Sequence, residues 1–249
     1  MESVMARADA TVQRLHVSAD LAAEALVQLE TKQAHYVRNV LRLEAGAPLL
    51  VFNGRHGEWR GLLHDVGKKQ VTLRLETQTR AQDSQPDIWL LVAPVKKDRL
   101  DYLAQKATEM GVGRLLPVMT ARTQGGRHIN AEKLRANVIE AAEQCNIMTL
   151  PDVADPLRLS EVLAAMPEER QIIFCDEEAG PGAKLGIAVL QGQKLALLIG
   201  PEGGFNDAER ADLQARANVH SLSLGPRILR TDTAVVAALA RLQAQLGDW

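Results

Sequence analysis

Two loops near the C-terminus constrain this chain more than any other feature. The run 194–199, rich in Leu and Ile, leads into Gly200-Pro201-Glu202-Gly203-Gly204-Phe205-Asn206, and the run 219–224 leads into Gly225-Pro226-Arg227-Ile228-Leu229-Arg230-Thr231. Short continuous apolar runs bounded by turn residues read as strands buried on both faces, which is the mark of a parallel sheet. In open α/β sheets, ligands bind beyond the carboxyl ends of the strands. Two such loops so close in sequence predict one composite pocket. Their glycines let a ligand approach the main chain, while Pro201 and Pro226 stiffen the turns. Asn206 and Glu209 form a capping-box pattern, so a helix is expected to start at Asp207. Thr231 is expected to cap a last helix over 232–246.

Neither loop carries a common phosphate signature. The chain lacks G-x-x-x-x-G-K-[ST] and also lacks a G-x-G-x-x-G after a first strand. The second loop offers apolar side chains instead: Leu222, Leu224, Ile228 and Leu229. Such a lining suits a flat neutral ring, such as adenine, held by main-chain groups.

The rest of the chain falls into two parts. Residues 1–80 read as a small β-rich domain, with strands at 48–52, 58–66 and 70–76 and a helix between 31 and 43. Residues 81–87 are polar and contain proline, which marks a linker. From 88 to 249 strand and helix patterns alternate: strands at 88–94, 114–119, 171–175, 194–199 and 219–224, and helices at 99–111 and 131–145. This alternation predicts an α/β fold with a parallel sheet. The stretch 176–193 is acidic and glycine-rich and is expected to be a loop.

The net charge of −2 excludes a generic polyanion binder, but the charges are unevenly spread. Residues 31–80 hold nine Lys/Arg against four Asp/Glu and residues 84–130 seven against four, whereas residues 131–199 hold six against eleven. A basic first half can form a local phosphate-binding face. On that ground Arg14, Arg38, Arg42, Lys96, Arg99 and Arg122 are expected to contact RNA. Cys145 and Cys175, the two cysteines, are expected to be reduced, buried thiols rather than a disulfide. No apolar run is long enough to span a membrane, and residues 1–10 lack the apolar core of a signal peptide. A cytoplasmic protein is therefore expected. No His/Cys/Asp grouping has metal-ligand spacing, so no metal is expected.

The segments GPEGGFNDAE (200–209) and LSLGPRILRTDTAVVAALA (222–240) resemble the signature of the SPOUT-class RNA methyltransferases, and specifically the 16S ribosomal RNA uracil-N3 methyltransferase family of RsmE type. HYVRNVLRLEAG (35–46), KKDR (96–99), QKATEMGV (105–112) and Pro117 match the same family in the same order. The resemblance implies an N-terminal PUA-like β-barrel that binds RNA and a C-terminal α/β domain tied into a deep trefoil knot. It implies S-adenosylmethionine (SAM) as cofactor, small-subunit ribosomal RNA as partner (in the 30S subunit or an assembly intermediate), and a homodimer. Leu198, Ile199, Gly200, Gly203, Gly204, Leu222, Leu224, Gly225, Ile228, Leu229, Thr233 and Ala234 would form the cofactor site. Arg230, Glu202 and Asp232 are the catalytic candidates. Arg230 suits a developing uracil anion, Glu202 either reaches the pocket or shapes its own loop, and Asp232 stands where the family commonly has glutamate. The chain departs from the family at Asn146-Ile147, where relatives carry Gly-Arg. The resemblance leaves open a SPOUT enzyme acting on tRNA or a ribose 2′-hydroxyl, and a non-catalytic RNA-binding assembly factor.

Overall fold

The computed structural model describes residues 12–68, 70–84, 87–123, 129–179, 190, 193–246 and 249. The chain divides into two compact units: Met1–Ser84 with Ala142–Thr149, and Gln85–Ala141 with Leu150–Trp249. Of the expected first domain, residues 1–11 and 69 lie outside the described residues, as do 85 and 86 of the expected linker and 180–189, 191 and 192 of the expected loop.

The first unit is built on a five-stranded sheet. Its strands are β1 (Arg14–His16), β2 (Leu26–Gln28), β3 (Pro48–Phe52), β4 (Glu58–Val66) and β5 (Val71–Arg80), in the order β1-β3-β4-β5-β2. The β1–β3 pair is parallel and the others are antiparallel. Alternation in β5 buries Val71, Leu73 and Leu75 against Leu15, Val27, Val37, Leu49 and Leu63, as a half-solvated strand should. Helix α1 (Thr31–His35) continues as a wider π-type turn over Tyr36–Val40, where Leu41 N–H donates to the Tyr36 carbonyl. The left-handed φ of +54° at Arg42 ends it, short of the expected residue 43.

Arg14 does not join an RNA-facing surface. Its guanidinium is buried beside Glu58, at 2.6 Å, and donates to the carbonyls of Ala142 (2.7 Å), Glu143 (3.2 Å) and Ile147 (3.2 Å). It also lies 4.5 Å over the Phe52 ring. Arg14 thereby caps the carboxyl end of a helix with positive charge, where the dipole favours it. This explains why 142–149, distant in sequence, belongs to the first unit. Asn146 adopts φ +65°, and its carbonyl accepts from Arg80 Nη1 at 3.0 Å. Asparagine tolerates the left-handed region better than most residues.

The second unit is α/β. Strands β6 (Ile88–Val92), β7 (Arg114–Met119), β8 (Asp152–Val153), β10 (Gln171–Cys175), β11 (Leu195–Ile199) and β12 (Val219–Leu222) run in the order β12-β10-β11-β6-β7-β8, all in parallel, with β9 (Leu157–Arg158) also beside β7. Every residue of β11 is buried. The faces alternate strictly. Leu90, Ile173, Leu197 and Ile199 meet one core with α2 (Lys97–Glu109), α3 (Ala131–Gln144) and α6 (Thr231–Leu246). Leu91, Phe174, Ala196 and Leu198 meet the other with α4 (Leu159–Ala165) and α5 (Asp207–Gln214). Both faces are thus covered, as parallel sheets require.

Candidate active site

Because β10, β11 and β12 are adjacent and parallel, their carboxyl ends lie side by side; Cys175 is in register with both Ile199 and Leu222. Three loops therefore leave the sheet together: the one starting at Asp176, residues 200–206, and residues 223–230. The ladder runs one step past β10, with Asp176 N–H donating to the Leu222 carbonyl at 3.2 Å.

The loop at 200–206 is fastened on several sides. A Cβ at Gly200 would stand 2.5 Å from the Phe205 ring, so only glycine lets that ring fold back. Phe205 in turn packs edge-on against Phe174, with ring centroids 5.0 Å apart. Asn206 and Glu209 form the expected capping box, with hydrogen bonds of 2.8 and 3.0 Å. The other Glu209 oxygen accepts from Ala121 N–H at 2.7 Å, which ties this loop to the end of β7. Arg122 Nη1 donates to the Gly203 carbonyl at 3.0 Å. Glu202 pairs with Arg99 Nη1 at 3.2 Å. Lys96 is exposed at the start of α2. Lys96, Arg99 and Arg122 thus gather at the carboxyl edge of the sheet, two of them engaged with the 200–206 loop. Arg38 and Arg42 lie in the first unit. Arg38 donates to the carbonyls of Gly67 and Lys68, while Arg42 is exposed.

The second loop is braced from α6. Arg241 Nη1 donates to the Ser223 carbonyl at 2.9 Å. Thr231 is the first residue of α6 rather than its cap, and its buried hydroxyl donates to the Gly200 carbonyl at 3.1 Å. The expectation of a capping role is corrected by this bond, which uses the hydroxyl to join the two loops. Asp232 Oδ1 accepts from Thr233 N–H at 3.1 Å, as a first-turn acid does. Arg230 is exposed, and no ion pair or hydrogen bond to its side chain occurs among the described residues. Cys175, buried below the loops, has its thiol pushed up to about 12 by burial, against a smaller lowering by Arg241. It therefore stays neutral.

Ile199, Leu222 and Ala234 belong to the core on the α6 face of the sheet, and Leu224 and Leu229, partly buried, pack against it. Leu198 does not join them: its side chain is buried on the opposite face with Phe174 and Phe205, because alternate residues of a strand point to opposite sides. Ile228 is 87% exposed. Among the described residues the backbone groups of Leu224 and Leu229 have no hydrogen-bond partner. At Gly225, with φ +103°, a Cβ would meet nothing within 4 Å. Apolar side chains beside unengaged main-chain donors and acceptors suit an adenine ring, so the residues present fit SAM. Among the described residues no group of three His, Cys, Asp or Glu is placed to hold a metal, and no helix is long and apolar enough to cross a membrane.

Sequence reading missed Arg210, Arg241 and Asp176. The signal for Arg210 was present. It lies three residues before Leu213, the buried residue of α5, and so shares its inward face.

The fold and this loop cluster are those of an RNA methyltransferase domain, whose family description matches residues 82–243. The description RNA methyltransferase PUA domain matches residues 29–76. The chain belongs to the family of ribosomal RNA small subunit methyltransferase E. It is 31% identical to the Rickettsia conorii protein of that name, over 92% of this chain and 94% of that one. It is 35% identical to the Synechocystis protein of that name, over 94% and 78%. Among solved structures it matches a protein described as a methyltransferase from Legionella pneumophila, in complex with SAM, with TM-score 0.85 and 31% identity over 96% of this chain and 99% of that one. It likewise matches the Neisseria gonorrhoeae ribosomal RNA small subunit methyltransferase E bound to SAM, with TM-score 0.86 and 25% identity over 96% and 99%.

Proposed function

We propose that this chain methylates N3 of a uridine in the 16S RNA of the small ribosomal subunit, using SAM. The observation that carries the proposal is the joining of loops 200–206 and 223–230 by Thr231, with open main-chain groups at Leu224 and Leu229 in an apolar setting. Two relatives of the family are solved with SAM.

When bound, SAM supplies a methyl group on a positively charged sulfonium. Leu222, Leu224, Leu229 and the main chain at Gly225 would hold its adenosyl part. The uracil N3–H must lose its proton, to solvent water, as the new N–C bond forms. Arg230, exposed and without a protein partner among the described residues, would stabilise the uracil anion. A donor aimed at the charge that develops in the transition state is typically worth about 10²–10³-fold in rate. Glu202 is held by Arg99 and keeps its loop in shape. Lys96, Arg38 and Arg42, with the exposed parts of Arg99 and Arg122, would hold RNA phosphates. A trefoil knot around the site, a homodimer, a cytoplasmic setting and a 30S subunit or assembly intermediate as substrate belong to the same proposal.

The test is mass spectrometry of nucleosides from 16S RNA in cells with and without the gene, followed by methylation of 30S subunits by the purified chain. Loss of 3-methyluridine in the first and its SAM-dependent return in the second are expected. A methyl group found on tRNA or a ribose 2′-hydroxyl, or no methyl group at all, would overturn the assignment.

A further inference from the structure

Arg210 lies on the inward face of α5, with its side chain only 11% exposed. Its guanidinium is bonded to the carboxylate of Asp176, which is itself buried. It also approaches Glu178 at 3.3 Å and Glu177 at 3.4 Å, and it stands 5.9 Å from the Phe174 ring centroid. All three acids lie in the turn that leaves β10. Asp176 Oδ1 further accepts from Glu178 N–H at 3.0 Å, and the Asp176 carbonyl accepts from Ala179 N–H at 3.2 Å. The turn therefore closes around the same carboxylate that Arg210 grips. Burial opposes the charge on Arg210. The hydrogen bond and attraction of Asp176, with Glu178 and Glu177 behind it, outweigh that and raise its pKa above the ordinary guanidinium value.

The grip reaches the neighbouring loop. Gly204 has φ +66°, and a Cβ built there would collide with Glu177 Oε1, so the two loops touch at this point. Helix α5 begins at Asp207 directly from the 200–206 loop. One side chain thus fixes the turn after β10 against the loop after β11, through α5 and through Glu177.

We propose that Arg210 is a positioning residue for the cofactor: it holds the turn at 176–179 in place as a third wall of the pocket, beside the two loops joined by Thr231. This rests on the SAM-dependent reading above. Arg210 touches no reacting atom, so its loss should change cofactor affinity and leave the chemical step alone. A planar fork bonded to a buried carboxylate is not equivalent to a point-charge ammonium, so Arg210→Lys should recover part of the affinity and Arg210→Met none.

The experiment uses the full chain. SAM binding is measured by calorimetry for the natural chain, Arg210→Met and Arg210→Lys, with turnover measured at saturating SAM. Arg210→Met should weaken SAM binding at least tenfold with turnover at saturation within twofold, and Arg210→Lys should fall between. Undiminished affinity in Arg210→Met, or a fall in turnover at unchanged affinity, would overturn the inference. If Arg210→Met does not fold, hydrogen exchange on the natural chain decides. SAM should slow exchange of the Asp176, Glu178 and Ala179 amides, and no change there would overturn the inference. A natural chain that binds no SAM would instead refute the cofactor reading itself.

Discussion

The Thr231 hydroxyl donates to the carbonyl of Gly200, 31 residues earlier, at 3.1 Å and so joins two loops. Thr231 is buried, so no water replaces it cheaply. Thr231→Val keeps the shape but leaves the Gly200 carbonyl without its donor, which costs about 1–3 kcal/mol. Urea unfolding should show a loss of that size, and calorimetry a weaker SAM affinity. Thr231→Ser should restore both. Equal SAM affinity in the valine variant would show that the bond does not shape the pocket.

Arg230 and Glu202 should separate cleanly in kinetics. Arg230→Ala should lower turnover by about 10²–10³ with SAM affinity nearly intact. A collapse of SAM binding would make it a cofactor or structural residue instead.

Glu202 is already occupied by Arg99 in a half-exposed pair. Such pairs are worth less than about 1 kcal/mol. Glu202→Gln should therefore change stability little and turnover less than tenfold, with the pH–rate profile unmoved. A fall of about 10²–10⁴ with loss of the acid limb of that profile, the rise in rate as the base deprotonates, would make Glu202 the general base.

The parallel core was legible because β10 and β11 are continuous apolar runs with turn residues beyond their carboxyl ends, as is β12 at its Leu222 end. The 200–206 and 223–230 loops could be read as one site for the same reason. Strands β1 and β2 have three residues each and β8 and β9 two, too few to display a period. Their existence is decided by pairing partners far away in sequence. The roles of single charged side chains were the least legible. Arg14, Arg99 and Arg122 look alike in sequence as surface cations, yet Arg14 is buried on Glu58, Arg99 is paired with Glu202, and Arg122 donates to a backbone carbonyl. Those assignments depend on carbonyls and carboxylates between 44 and 133 residues away, which no local pattern encodes. The turn at Asp176 belongs to the same class, since its partner Arg210 arrives from the following helix.

Burial of Cys175 makes stability depend on alkaline pH. Its ordinary pKa is near 9.0, and in the folded chain it is pushed up to about 12. Between those values the unfolded chain releases a proton that the folded chain retains, so stability falls as pH rises through this window, by up to about 1.4 kcal/mol per pH unit. Below pH 9 this group contributes no slope. Cys175→Ala should flatten the decline between pH 9 and 11 in denaturant titrations. Cys145, expected to be buried, is instead exposed, so at pH 8 iodoacetamide should modify it and leave the buried Cys175 untouched.

Arg14 and Glu58 offer the sharpest contrast between a structural cation and an RNA-facing one. Their side chains are 8% and 4% exposed, and Glu58 Oε1 also accepts from Thr79 Oγ1 at 3.0 Å. Removing one partner strands a buried charge, which costs about 3–5 kcal/mol. Arg14→Met and Glu58→Gln should each destabilise the first unit by that order, seen as faster hydrogen exchange in β3 and β4. The double variant should cost less than the sum, because neither charge is then left alone. Arg42 is exposed, and its substitution by alanine should leave that exchange unchanged. It should instead reduce the slope of log affinity for 16S RNA against log salt by about 0.7–0.9, the signature of one lost phosphate contact. The Arg14 variant, assayed at a temperature where it remains folded, should keep the natural slope. If Arg14→Met lowered the slope while the β3 and β4 amides stayed protected, the guanidinium would be reaching RNA rather than the helix end.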